Sequence, residues 1–175
     1  MRRAGTVAAG LAVLLSGLLV AATATAGSGF VSKRYRYQFA PGSGFYATFA
    51  TSQWRGAFPF GGDPGVDTFG DRRDRKFIVA AMNVPASMNV SEWEARHVSR
   101  MQSFCKQAHA FRRSTLGGAP AKEFIDACPD YDVIVLTAIH ARRGYIFQFV
   151  SPTANSPAAD RRSYEAGRRT FRFTG

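Results

Sequence analysis

The chain has 175 residues, carries 23 Lys and Arg against 12 Asp and Glu, and has a formal net charge of +11. That length is the size of one ordinary domain, with enough chain to bury a core. The charge sets cationic partners aside and directs attention to anions.

Arg2 and Arg3 lead into an apolar run from Val7 to Ala22, and Ala22-Thr23-Ala24-Thr25-Ala26 offers A-x-A cleavage sites. Residues 1–26 therefore read as a secretory signal peptide ahead of a domain over 27–175. The apolar run is short, carries Gly10, Ser16 and Gly17, and lacks the basic flank of a stop-transfer anchor. The reading is of an exported protein, periplasmic or extracellular, with no transmembrane segment after cleavage. Cleavage removes two arginines and no acids, which leaves a charge of +9 carried by 17 Arg and four Lys.

Gly27 to Lys33 is small and polar and reads as a flexible lead. Tyr35, Tyr37 and Phe39 alternate with Arg36 and Gln38, the period of a half-buried strand. Pro41-Gly42-Ser43-Gly44 breaks it, Phe45 to Ala50 predicts a second strand, and the Gly- and Pro-rich stretch from Gly56 to Gly65 predicts a loop. Arg75 to Val84 reads as a buried strand. Ser91-Glu92-Trp93-Glu94 has the form of a capping box, with Asn89-Val90-Ser91 at the cap. It opens a helix of about five turns whose apolar stripe is Trp93, Val98, Met101, Phe104, Cys105 and Ala108.

Gly117-Gly118 lies between apolar flanks and predicts a hairpin turn, with the outgoing strand over Ala121 to Ala127. Asp132 to His140 and Tyr145 to Val150 form a second predicted hairpin around Ala141-Arg142-Arg143-Gly144. Ala158 to Arg169 reads as a helix despite Gly167, and Phe171-Arg172-Phe173 as a closing strand. Hairpin-joined strands with only two helices indicate an α+β domain, an antiparallel β-sheet covered by helices.

This order resembles the PsbP-like superfamily, which includes the PsbP protein of photosystem II and bacterial envelope proteins of the DcrB and LpqN type. The resemblance is carried by the early aromatic strand with Trp54, the helix start Ser91-Glu92-Trp93-Glu94, the segment Leu116-Gly117-Gly118-Ala119-Pro120-Ala121, and Gly144-Tyr145 to Phe149 followed by a helix into Thr170-Phe171-Arg172-Phe173. The superfamily pattern usually has a proline shortly before the early tryptophan, where this chain has Ala50-Thr51-Ser52-Gln53. The resemblance implies an α/β/α sandwich and a non-catalytic accessory or binding role, and it brings no catalytic residues and no cofactor.

Cys105 and Cys128, the two cysteines of an exported chain, read as one disulfide, since no C-x-x-C spacing exists. A bridge over 23 residues is worth about 3 kcal/mol in the chain-entropy model.

His97 and His109 fall 12 residues apart on one predicted helix, too far for a shared metal, and each histidine reads as an ordinary surface or partly packed residue. No G-x-S-x-G elbow is present. Asp71 and Asp74 sit among Arg72, Arg73 and Arg75, which makes them poor general acids. Catalysis would need scattered Ser, His and Asp residues to meet in the fold, as in a small secreted hydrolase.

The binding candidates are of two kinds. Trp54, Arg55, Phe58 and Phe60 form an aromatic contact patch in the loop, unless these rings fold back as a lid on the sheet. The pairs Arg142/Arg143, Arg161/Arg162 and Arg168/Arg169 form an electrostatic one, unless they are solvated turns and helix faces. The expected partner is a protein or an anionic envelope component; export argues against nucleic acid. No metal site is expected.

Overall fold

Apolar strand segments dominate the chain, and in the computed structural model they form two antiparallel sheets. The described residues are 29–57, 59, 61–101, 104, 105 and 107–175. The expected signal peptide, residues 1–26, lies outside them, as do Phe58, Phe60 and Lys106.

Seven strands make the main sheet: β3 (Tyr46–Thr48), β4 (Asp67–Gly70), β5 (Lys76–Asn83), β6 (Gln107–Leu116), β7 (Ala119–Ala127), β8 (Tyr131–His140) and β9 (Arg143–Pro152), in the order β3-β4-β5-β9-β8-β7-β6. A three-stranded sheet, β1 (Phe30–Ser32), β2 (Tyr37–Phe39) and β10 (Arg172–Phe173), joins the two ends of the described chain in the order β1-β2-β10. The helices are α1 (Val90–Met101), between β5 and β6, and α2 (Pro157–Thr170), between β9 and β10.

The helices lie on opposite faces of the main sheet. Phe77 and Val79 of β5 pair with Phe149 and Phe147 of β9, and the ring of Tyr164 from α2 packs on Phe147 and Phe149. The small sheet extends this layer, where Phe39 meets Phe69, Phe77 and Phe147 edge-on and Phe171 stacks on Tyr37. On the opposite face, Trp93 of α1 covers Gly144 and donates from Nε1 to the Tyr145 carbonyl at 2.9 Å, while His97 reaches Gln148. This is the α+β, helix-covered antiparallel sheet expected from the sequence.

Several expectations need correction. The stretch read as a flexible lead contains β1, which pairs Phe30 with Phe39 and Ser32 with Tyr37. The helix cap lies two residues before the expected box: Asn89 Oδ1 accepts from the amides of Ser91 and Glu92, both at 3.0 Å, and Glu92 Oε2 accepts from the Asn89 amide. The box chemistry is the one expected, with Asn in place of Ser.

The first helix is shorter than the five turns expected. It has 12 residues and ends at Met101, and its buried stripe is Trp93, His97 and Met101. Ala108 and His109 belong to β6, and Phe104 is 53 % exposed. The apolar spacing continues past Met101, but β6 gains a full ladder against β7, and that non-local pairing outweighs local helical periodicity.

Gly117 and Gly118 form the expected hairpin turn, with φ of 57° and 88°. The disulfide between Cys105 and Cys128 is present, closing the start of β6 onto the end of β7.

A Cβ at Gly144 would lie 2.6 Å from the Trp93 ring. Gly144→Ala should therefore cost about 1–3 kcal/mol by overpacking, read as a lower urea midpoint by tryptophan fluorescence. An unchanged midpoint would show that α1 does not sit this close to β9.

Candidate functional site

The arginines that looked alike in the sequence divide into two groups. On the α2 face, Glu123 of β7 is buried and receives Arg161 at 3.0 Å, Arg112, and the Tyr164 hydroxyl at 2.7 Å. Glu165 receives Arg161 and Arg168, both at 2.8 Å. Arg168 also donates to the Thr115 carbonyl at 3.0 Å. Burial raises the Glu123 carboxyl and pushes the Tyr164 phenol far above its usual range. Arg161 and Arg168 are thus internal ties between α2 and the sheet, not members of the expected contact surface. The second arginine of each pair, Arg162 and Arg169, is exposed.

Arg142 and Arg143 stand at the β8–β9 turn, and the tertiary structure adds cations that the sequence did not group with them. Arg143 Nη1 donates to the Arg34 carbonyl at 2.7 Å, and Tyr145 Oη donates to the Tyr35 carbonyl at 2.7 Å. These bonds bring the β1–β2 turn, with Lys33, Arg34 and Arg36, against the β8–β9 turn. Arg36 is close enough to act on the charge of Tyr145, as Arg143 does. Lys33, Arg34, Arg36 and Arg142 are exposed, Arg143 is half-buried, and none of the five meets a carboxylate among the described residues.

Backbone geometry sets two of these arginines apart. Arg36 has φ of 56° and Arg142 has φ of 60°, in the left-handed region that favours glycine. His140 pairs with Arg143, so Ala141-Arg142 is a two-residue hairpin turn with both central φ values positive. A side chain there costs about 1 kcal/mol relative to glycine. The clue legible in the sequence was Arg34 and Arg36 interleaved with Tyr35 and Tyr37; their proximity to Arg142 was not.

The expected aromatic patch is corrected at its centre. Trp54 is only 3 % exposed; it donates from Nε1 to the Ala57 carbonyl at 2.9 Å and packs edge-on against Trp93. Phe69, just past that loop, is buried in β4. The Trp54 ring folds back onto the sheet. Arg55 is exposed. Tyr35 and Tyr37 pin the same loop: the Tyr35 hydroxyl donates to the Gly65 carbonyl and accepts from the Trp54 amide, and Tyr37 Oη donates to Asp67 at 2.7 Å.

Among the described residues, no hydrogen-bonded set of Ser, His and Asp of the kind the hydrolase reading requires is present. A groove of about 320 Å³ at the start of α2 holds His109, Ser151 and Asp160. Ser151 donates to Asp160 at 2.5 Å and accepts from Asn155 at 3.1 Å, and no hydrogen bond joins His109 to either among the described residues. His140 stacks on Phe173. His97, expected at or near the surface, is buried under α1, where burial and the Arg100 charge hold it down at about 3. Asp74 is lowered by its bond to Lys76. No group of three or more His, Cys, Asp or Glu among the described residues could hold a metal ion.

Asp126 is another buried ionisable group, and neither of its carboxylate oxygens has a hydrogen-bond partner among the described residues. Burial raises it from 3.8 to about 6, against a small opposing effect of His109. The folded protein then holds this proton more tightly than the unfolded chain, so the cost of Asp126 is absent below about pH 4 and complete above about pH 6. His97 acts in the opposite sense and costs stability as pH falls below about 6.5. The Asp126→Asn variant should exceed the wild type in melting temperature at pH 7 and match it at pH 4, which isolates Asp126 from His97.

No family model matches the chain. No curated protein matches it either. Among solved structures, it is similar to the solution structure of cyanobacterial PsbP (CyanoP) from Synechocystis sp. PCC 6803, at 13 % identity and a TM-score of 0.59, over 90 % of this chain and 95 % of that one. With two helices on opposite faces of a seven-stranded antiparallel sheet, the chain has the PsbP-like fold.

Proposed function

We propose that the protein is an exported, non-catalytic accessory module that docks through the basic end of its sheet onto an anionic partner, a protein surface or an envelope component. The observation that carries this reading is the gathering of Lys33, Arg34, Arg36, Arg142 and Arg143 without carboxylate partners among the described residues, two of them on backbone positions where glycine costs less. Guanidinium groups present planar forks that match phosphate and carboxylate oxygens. The fold similarity to cyanobacterial PsbP, the disulfide and the N-terminal sequence pattern support an exported accessory protein. No helix among the described residues is long and apolar enough to cross a membrane.

Retention of the mature protein on envelope extract and on phosphatidylglycerol vesicles tests the proposal, at low and high salt. A variant carrying Arg34→Gln, Arg36→Gln, Arg142→Gln and Arg143→Gln should lose at least about a hundredfold in vesicle partitioning, since each charge near an anionic surface is worth about 1 kcal/mol. High salt should weaken the wild type in the same way. A double variant at Arg162 and Arg169 should keep most of the binding. Equal retention of the fourfold variant and the wild type would overturn the assignment.

A further inference from the structure

Exposed apolar side chains stand directly beside the basic end. Val31 of β1 is 51 % exposed, and Phe49, just past β3, is 38 % exposed. The Phe49 ring stacks flat on the half-buried Phe30, with centroids 4.4 Å apart. Val31 lies two residues ahead of Lys33, and Arg34 donates from Nη2 to the carbonyl of Thr51, two residues past Phe49, at 3.3 Å. Both apolar side chains are therefore next to cations of the β1–β2 turn.

The fold holds this patch in place. Tyr37 and Phe69 fill the space against Phe30, their rings meeting it edge-on at 5.9 and 5.4 Å. The backbone after Phe49 is fixed at three successive residues: the Ala50 amide donates to Asp67 at 2.8 Å, and the Thr51 and Ser52 amides both donate to the Pro64 carbonyl at 2.8 Å. Filled space on one side and a pinned backbone keep the outer side of the Phe49 ring in solvent. Asp67, the acid that pins this segment, is 2 % exposed and also accepts from Tyr37, so it presents no carboxylate at the surface beside the cations.

We propose that the anionic partner of the basic end is a lipid bilayer, into which Val31 and Phe49 insert while Lys33, Arg34, Arg36, Arg142 and Arg143 meet the lipid phosphates. This rests on the docking reading above and deepens it. At a bilayer surface, interfacial apolar groups bury about 5–10 Å deep, at the boundary of headgroups and acyl chains, so that anionic and apolar layers adjoin as the cations and exposed rings do here. A protein interface takes about 20–30 residues a side, many more than this apolar edge offers. Shallow insertion needs only a few apolar side chains, because each cation near an anionic surface strengthens binding by about fivefold.

Two readouts separate insertion from adsorption: partitioning of the mature protein onto phosphatidylglycerol vesicles, and the rise in surface pressure of a phosphatidylglycerol monolayer compressed to the lateral pressure of a bilayer. The wild type should raise the pressure of that film and leave a phosphatidylcholine film unchanged. A double variant, Val31→Ser with Phe49→Ser, should partition about tenfold more weakly and lose the pressure rise. The fourfold arginine variant should lose both readouts. Vesicle binding by the wild type without a pressure rise, or equal partitioning of the double variant and the wild type, would overturn insertion and leave the basic end as the docking site. Retention on envelope protein with no binding to phosphatidylglycerol vesicles would overturn the bilayer in favour of a protein partner. Binding that survives the fourfold arginine variant would remove the docking reading itself, and this inference with it. The wild-type pressure measurement decides the matter even where the double variant fails to fold.

Discussion

Two contacts between a glycine and an aromatic ring set how closely each helix can approach the sheet. On one face, a Cβ at Gly167 of α2 would lie 2.5 Å from the Phe77 ring; on the other, a Cβ at Gly144 of β9 would lie 2.6 Å from the Trp93 ring. Neither ring could stay where it is beside a larger residue. Because α2 lies this close, Tyr164 can reach Glu123 and Arg161 can reach the same carboxylate from the helix side. Because Trp93 lies over Gly144, its indole N–H can satisfy a β9 carbonyl and His97 can reach Gln148 one turn further on. The glycine in α2, which weakens the helix as a local element, is required by the layer it packs on.

The two faces handle buried polarity differently. Toward α2 the charges are paired: three arginines, Arg112, Arg161 and Arg168, surround Glu123 and Glu165. Glu123 is the buried ion here, and removing its partners would leave that charge uncompensated. Toward α1 the buried groups are neutral or pushed toward neutrality: His97 is held down, Asp126 is raised, and the Gln148 amide lies 3.3 Å from the His97 ring nitrogen. An ionic face suits structure, because its partners are already satisfied. The α1 face leaves Gln148 Oε1 and both Asp126 oxygens without hydrogen-bond partners among the described residues.

Charge at the surface follows from what the interior has consumed. Of the arginine pairs on α2, the first member of each turns inward and the second remains outside. At the end of the sheet, by contrast, the turns bring together five cations with no acid among them. The left-handed backbone at Arg36 and Arg142 means that these side chains occupy positions their own sterics disfavour. Strain of this kind persists where the surrounding structure holds it, here the β1–β2 and β8–β9 ladders.

The sequence by itself determined the local patterns: the buried strand read over Arg75 to Val84, the hairpin of Asp132 to His140 with Tyr145 to Val150, the Gly117-Gly118 turn, the second helix, the pairing of two lone cysteines, and the order of elements that resembles the PsbP-like superfamily. Each is encoded within a few residues, or within a count of two. Tertiary structure decided the end of the first helix, where apolar spacing continues through Phe104 but β6 belongs to a ladder with β7. It also decided that Trp54 is core rather than surface, because the Tyr35 hydroxyl and the Trp93 ring draw the loop inward. Above all it decided which arginines are structural. Arg161 and Arg142 carry the same side chain in the same kind of pair; one has a buried glutamate 3.0 Å away and the other does not, and the residue that makes the difference, Glu123, is distant from both in the chain. Non-local electrostatics of this kind has no period or spacing to be read from the sequence.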